Sequence, residues 1–146
     1  ATFTPSVAPV LTPNTVQVER WKEYQKELAK SLLPKDMPEH VLCEWAILGQ
    51  SEQEVYVMAV CLGSGRATAP AVIRLGADGS IQNVEAVGYG STRTSNIQRL
   101  FPKEVQEMIY SEPMQVTYGQ LVEHLDWRFS HREEPPLVVL SATPMP

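Results

Sequence analysis

Between Val41 and Val87 the chain carries four short apolar runs separated by breaks rich in Gly, Ser and Asp, and no other stretch narrows the possible folds as far. Val41, Cys43, Trp45 and Ile47 share one face of a first strand, about 41–48. Val55, Val57, Ala59 and Cys61 share one face of a second, about 54–62, because successive side chains of a strand alternate in direction. The opposite faces hold Leu42, Ala46, Leu48 and Tyr56, Met58, Val60, Leu62, also apolar, so the sheet needs covering on both sides. A turn at 49–53 joins these two strands. A turn at 76–80, with an Asp78-Gly79 step, joins a third strand (71–75) to a fourth (81–87). Pro70 stands at the start of the third, where a missing N–H is tolerated, and Gly63-Ser64-Gly65 opens the connection between the two hairpins.

Helical signals flank this block. Asn14 and Gln17 form a capping box ahead of Val18, Trp21, Tyr24, Leu28 and Leu32 at helical spacing, and Pro34 stops that helix. After the sheet, Ser95 is placed to cap a short turn presenting Ile97, Leu100 and Phe101. Pro102 opens a helix with Val105, Met108 and Ile109 buried, ended by Glu112-Pro113. Thr117 and Gln120 make a second capping box for a helix bearing Leu121, Val122, Leu125 and Phe129, and residues 137–140 read as a last short strand. The expected fold is α+β: an N-terminal helix packed on an antiparallel sheet of about four strands, followed by two or three shorter helices. Residues 14–140 form one domain, 141–146 a tail. Residues 1–13, with Pro5, Pro9 and Pro13 among threonines, form an extended tether or a terminus with no task.

A chain of 146 residues can bury a core without help from disulfides or metal. Twelve Lys+Arg against 17 Asp+Glu give a net charge of −5 with no basic cluster beyond two residues, which argues against a nucleic-acid partner. No apolar run approaches the ~20 residues of a transmembrane helix. The first residues lack a basic start and an apolar h-region, so no signal peptide is expected, and an opening on Ala reads as a processed product.

The chemistry-bearing residues are few. If Ile47 faces Val57, then Cys43 faces Cys61, close enough to bridge in an oxidising compartment; in a cytosol both would be small buried hydrophobes. His124 and His131 stand seven residues apart, too far to share an ion readily, and neither cysteine lies in a Cys-x-x-Cys motif, so no metal and no cofactor is expected. Gly63-Ser64-Gly65 lacks a nucleophile elbow, and the loop Gly88-Tyr89-Gly90 lacks the spacing and lysine of a phosphate loop, so no catalytic residue is assigned. A ligand-binding reading uses Glu44, Tyr56, Tyr89 and Arg93 on a concave sheet face; the plainer reading of Glu44 is an edge carboxylate paired to an arginine. A partner-binding reading uses Trp127 as an anchor and Leu137, Val138, Val139 and Leu140 for strand addition, while core packing or an intramolecular edge is the plainer one.

The segments Pro70-Ala-Val-Ile-Arg-Leu75, Asp78-Gly-Ser-Ile81 and Ile97-Gln-Arg-Leu-Phe-Pro102-Lys-Glu-Val-Gln-Glu107-Met-Ile together resemble small uncharacterised domains of bacterial exported proteins and lipoproteins. The resemblance covers about half the chain, excludes the cysteine pair and the long C-terminal helix, and implies an extracytoplasmic setting with no catalytic residue to carry over. The general plan is similar to cystatin-like or PepSY-like domains, an analogy of architecture alone. The resulting expectation is a non-catalytic extracytoplasmic domain, secreted or surface-anchored, that binds a protein partner or itself. A cytoplasmic setting is the alternative. A small-molecule pocket protein or an enzyme of unrecognised type is the alternative in function.

Overall fold

The computed structural model describes residues 11–141; most of the expected tether and the tail after Ser141 lie outside them. An antiparallel meander forms the centre. Its strands β1 (Leu42–Gln50), β2 (Glu54–Leu62), β3 (Arg66–Leu75) and β4 (Ile81–Ala86) lie side by side in that order. The register pairs Ile47 with Val57, Trp45 with Ala59 and Cys43 with Cys61, and β1 is irregular between Ile47 and Gly49.

Helix α1 (Thr15–Glu19) starts on the Asn14/Gln17 capping box, with both reciprocal bonds at 2.8 Å. A break at Arg20 separates it from α2 (Trp21–Leu32). The face of α2 with Tyr24, Leu28 and Ala29 packs on Val41, Cys43, Trp45, Ile47, Val55 and Val57, and Tyr24 stacks on Trp45 with ring centroids 6.1 Å apart. The opposite sheet face is covered by α3 (Arg93–Leu100), α4 (Lys103–Ile109) and α5 (Glu112–Phe129). There Ile97, Phe101, Val105, Ile109, Leu121 and Leu125 close over Leu42, Ala46, Leu48, Tyr56, Met58 and Val60. Two apolar faces on β1 and β2 therefore become two cores, one on either side of the sheet.

Three local expectations are corrected. Strand β3 starts at Arg66 rather than Ala71, with Pro70 inside it, and residues 63–65 make the tight loop to β2; Asp36 accepts there from the Ser64 amide and hydroxyl. Glu112-Pro113 begins a helix instead of ending one: Ser111 is the N-cap, its hydroxyl accepts from the Met114 amide, and proline in the first turn loses no helical bond. Thr117, expected as a cap, is buried in the body of that 18-residue helix.

A further correction concerns residues 137–140, which form a helical turn, α6 (Leu137–Leu140), and not a strand. Four apolar residues in a row carry no periodicity, so the flanks decide. Pro136 stands at the N-cap and its carbonyl accepts from the amides of Val139 and Leu140. Leu137, Val138 and Val139 are buried, so this segment offers no strand edge to a partner.

Candidate functional site

The free edge of β1 and the part of β3 not covered by β4 are treated differently, and the pleat shows how. A strand residue points its own N–H and C=O to the same side, and neighbours alternate. On β1 the outward groups belong to the odd residues. The Cys43 amide donates to Gln25 Oε1 (3.1 Å), its carbonyl accepts from Arg128 (2.7 Å), and the Ile47 carbonyl accepts from the Leu11 amide (3.1 Å). Cys43 and Cys61 are thus a non-hydrogen-bonded pair, the arrangement that brings side chains closest, and the structure joins them in a disulfide. The free edge of β1 is thus sealed at Cys43 and at the Ile47 carbonyl, while the Trp45 amide and carbonyl between them have no partner among the described residues.

The seal rests on a buried ionic cluster. Glu44 from β1, His124 and Arg128 from α5 are all wholly buried. Glu44 Oε2 sits 2.7 Å from His124 Nδ1 and 3.1 Å from Arg128 Nη1, and its Oε1 accepts from the Leu137 amide at 2.9 Å. His124 Nε2 lies 2.6 Å from Glu134, and Arg128 reaches past the strand to Gln25 on α2 and to the Glu134 carbonyl. Burial pulls the His124 pKa down, but the two carboxylates on its two ring nitrogens outweigh burial and leave it raised above 6.5. Burial lowers the Arg128 pKa, opposed by Glu44 and Glu134. With His124 protonated, two carboxylates face two cations and the cluster is neutral. With no exposed surface on Glu44, His124 or Arg128, this arrangement holds α5, β1, α2 and α6 together and offers no room for a substrate.

Across the sheet the parity gives the opposite result. Pro70 of β3 points its carbonyl away from β2, where it accepts from the Val87 amide (2.9 Å), so its missing N–H falls on the side where β2 needs nothing. Residues 66 and 68 share that direction. Strand β4 pairs with β3 only from Ala71 onward, and after Val87 the chain turns off through Gly88, Tyr89 and Gly90 (φ 142°). The backbone groups of Arg66 and Thr68 on that side have no partner among the described residues.

Beside them lies an open slot of about 550 Å³. Its floor is residues 66–69, one wall is Ser31 and Leu32 of α2, and the other is Tyr118 of α5, with Tyr89 at the end. Thr68 Oγ1 and the Tyr118 hydroxyl lie 2.9 Å apart. A second hollow of about 440 Å³ shares Thr68, Tyr89 and Tyr118 and extends toward Arg93, Gln115, Met58 and Met114.

Of the four residues expected to form a ligand site, the structure brings two together. Tyr89 projects from its loop, 76% exposed, and the Arg93 guanidinium stacks on its ring at 4.4 Å. Tyr56 packs against Phe101 and donates to Glu54 Oε1 at 2.7 Å; burial and that carboxylate raise its pKa. Glu44 belongs to the ionic cluster, paired to an arginine on an edge strand. The concave face on which all four were to meet is filled by the apolar residues of α3, α4 and α5. Trp127, half-buried, stacks on His131 with centroids 3.7 Å apart, so its ring face is already covered.

Sequence reading missed Arg66, Thr68 and Tyr118, and it missed the partnership of Glu44 with His124 and Arg128. Signals for both existed. His124 and Arg128 are one helical turn apart, and Pro70 inside a strand with glycines just past Val87 marks the place where the neighbouring strand must leave. Among the described residues no helix is long and apolar enough to cross a membrane, and no group of three or more His, Cys, Asp or Glu is set to hold a metal ion. Comparison with family models, curated proteins and solved structures finds no match to this chain.

Proposed function

We propose that the domain is a non-catalytic binding module that takes an extended segment of another polypeptide as an added strand along residues 66–69 of β3. The observation that carries this reading is the pair of outward-facing residues, Arg66 and Thr68, whose backbone groups have no partner among the described residues at the floor of an open slot between two helical layers. Strand addition satisfies such groups and gains affinity from main-chain hydrogen bonds, with the slot walls selecting alternate side chains. At about 3.3 Å per residue the floor accommodates three to four residues of a guest. The Cys43–Cys61 disulfide supports placing the domain in an oxidising, extracytoplasmic compartment.

Amide exchange and a proline pair test it. In the free protein the Thr68 amide exchanges fast, while those of Ala67 and Ala69, which face β2, are protected. Thr68→Pro folds with a stability loss of about 1 kcal/mol or less, whereas Ala69→Pro removes a ladder bond and costs about 3 kcal/mol or more. Extended octapeptides selected on the intact protein from a random library should then protect the Thr68 amide and lose their binding to Thr68→Pro. Peptides that leave Thr68 unprotected, or a Thr68 amide already protected in the free protein, would sink the reading.

A further inference from the structure

The slot has a chemistry as well as a shape. Its lining and that of the adjoining hollow contain two cations, Arg66 and Arg93, and no Asp or Glu, in a chain where acids outnumber bases 17 to 12. Arg66 is already paired with Asp126 of α5. Arg93 has no carboxylate partner among the described residues. Its Nη1 donates to the carbonyls of Val87 and Gly88 (3.3 and 3.4 Å), and its guanidinium carbon sits over the Tyr89 ring, 4.4 Å from the centroid. Those contacts fix the group in place and leave the Nε–H and Nη2–H side without a bond among the described residues. That side is the fork that meets a carboxylate with two parallel hydrogen bonds.

Resting on the strand-addition reading above, we propose that the segment bound in the slot is acidic: a Glu or Asp side chain of the guest strand meets the free fork of Arg93 beside Tyr89. Residues 1–10 and 142–146 contain neither Asp nor Glu and so lack the carboxylate such a guest needs. The proposed partner is a separate polypeptide that presents an extended stretch with a carboxylate on the side facing α5. Stacking on Tyr89 orders the guanidinium before the guest arrives, so little side-chain freedom remains to be lost on binding.

Fluorescence anisotropy of the full chain with labelled octapeptides of alternating Ser and Val tests this. One peptide is neutral, and the others carry a single Asp at each Ser position in turn. At least one Asp register should bind about fivefold tighter than the neutral peptide or better. The gain should shrink as salt rises. In Arg93→Gln the Asp peptide should lose its advantage over the neutral one. In Arg93→Glu the preference should pass to a peptide with Lys in the same position, an exchange that mere damage to the loop could not produce. Equal binding of neutral and Asp peptides, both protecting the Thr68 amide, overturns the acidic preference and keeps strand addition. Asp peptides that bind through Arg93 without protecting Thr68 overturn strand addition and keep the anion site. Binding by neither series overturns both.

Discussion

Glu44→Gln is the most informative single change in this molecule, because it keeps the shape of the side chain and removes its charge. Glu44 accepts from three donors at once: His124 Nδ1, Arg128 Nη1 and the Leu137 amide. A glutamine has one oxygen and one NH₂ group, so at least one of those donors would face another donor inside a site with no solvent exposure. Arg128 meanwhile keeps its charge without its nearest anion. Breaking a buried pair on one side costs about 3–5 kcal/mol, and leaving a buried donor unmade adds to that cost rather than offsetting it. For a chain of this size the loss is a large part of a total stability of about 5–15 kcal/mol. Urea unfolding at pH 6, followed by tryptophan fluorescence, should show the midpoint fall with the slope unchanged. A loss under about 1 kcal/mol would refute the argument, since it would mean water or rearrangement reaches the cluster. Replacing Glu44, His124 and Arg128 together by apolar residues of similar volume should recover much of the stability, as removal of a whole buried ionic group does elsewhere.

The same cluster gives the protein a pH dependence with a definite sign. His124 is raised in the folded state above its unfolded value of 6.5. Below that pH both states carry the proton and its contribution is complete. Between 6.5 and the folded pKa only the native state holds it, so stability falls as pH rises, by up to about 1.4 kcal/mol for each pH unit. Above the folded pKa the contribution is gone and Glu44 and Glu134 share one cation. The groups facing the ring are Glu44 from β1, Glu134 from the segment after α5, and Arg128 from α5 itself, while the α2 side chain in the cluster, Gln25, does not titrate. In Glu44→Gln the decline should flatten, because a carboxylate holding the proton in place is lost. A wild-type profile that rises from pH 6.5 upward would contradict the assignment.

Reduction of Cys43–Cys61, or the double change Cys43→Ala/Cys61→Ala, opens a loop spanning a sequence separation of 18 and should cost about 3 kcal/mol, read as the difference in urea midpoint with and without reductant. Gly79→Ala should cost about 1–2 kcal/mol by the same assay, because Gly79 has φ 84° and an added Cβ would lie 2.9 Å from Val16 Cγ1. A neutral outcome there would mean the turn between β3 and β4 can change its type.

What the sequence made legible was what repeats or is local. Apolar residues on both faces of β1 and β2 implied a sheet covered twice, the Asn14/Gln17 box marked the first helix, and two-residue alternation with a short turn placed Cys43 opposite Cys61. The errors came where one short signal has two meanings. Pro113 can end one helix or open the next, and Ser111, which caps the second, was overlooked. Leu137-Val138-Val139-Leu140 is apolar enough for a strand, but two prolines before it and a buried carboxylate offering an acceptor to its first amide make it a helical turn. The ionic cluster was illegible for a different reason. Glu44 meets His124 and Arg128 across 80 and 84 residues of sequence, and nothing local to Glu44 says which cation will arrive.

The contrast between the free edge of β1 and the stretch of β3 that β4 leaves uncovered bears on function. An exposed row of backbone donors and acceptors invites pairing with another chain, and proteins commonly blunt such edges. On β1 this domain does so around Cys43 and Ile47, at considerable expense in buried polar chemistry: a carboxylate, an imidazole and a guanidinium are taken out of water, with Gln25 meeting the Cys43 amide and Leu11 the Ile47 carbonyl. On β3 a simpler device would suffice, since continuing β4 by five residues in the same register would set Tyr89 opposite Thr68 and Ser91 opposite Arg66. Instead Pro70, with no N–H on that side, precedes the gap, the chain leaves through two glycines, and Arg93 ties the departing carbonyls of Val87 and Gly88. The departure is thus held in place by specific contacts, and those contacts also fix Tyr89 and Arg93 beside the opening. An edge left open by poor packing would show a mobile loop and no ordered cation; this one has a stacked guanidinium whose remaining donors are unmet among the described residues. That combination is what a strand-binding site requires of its scaffold.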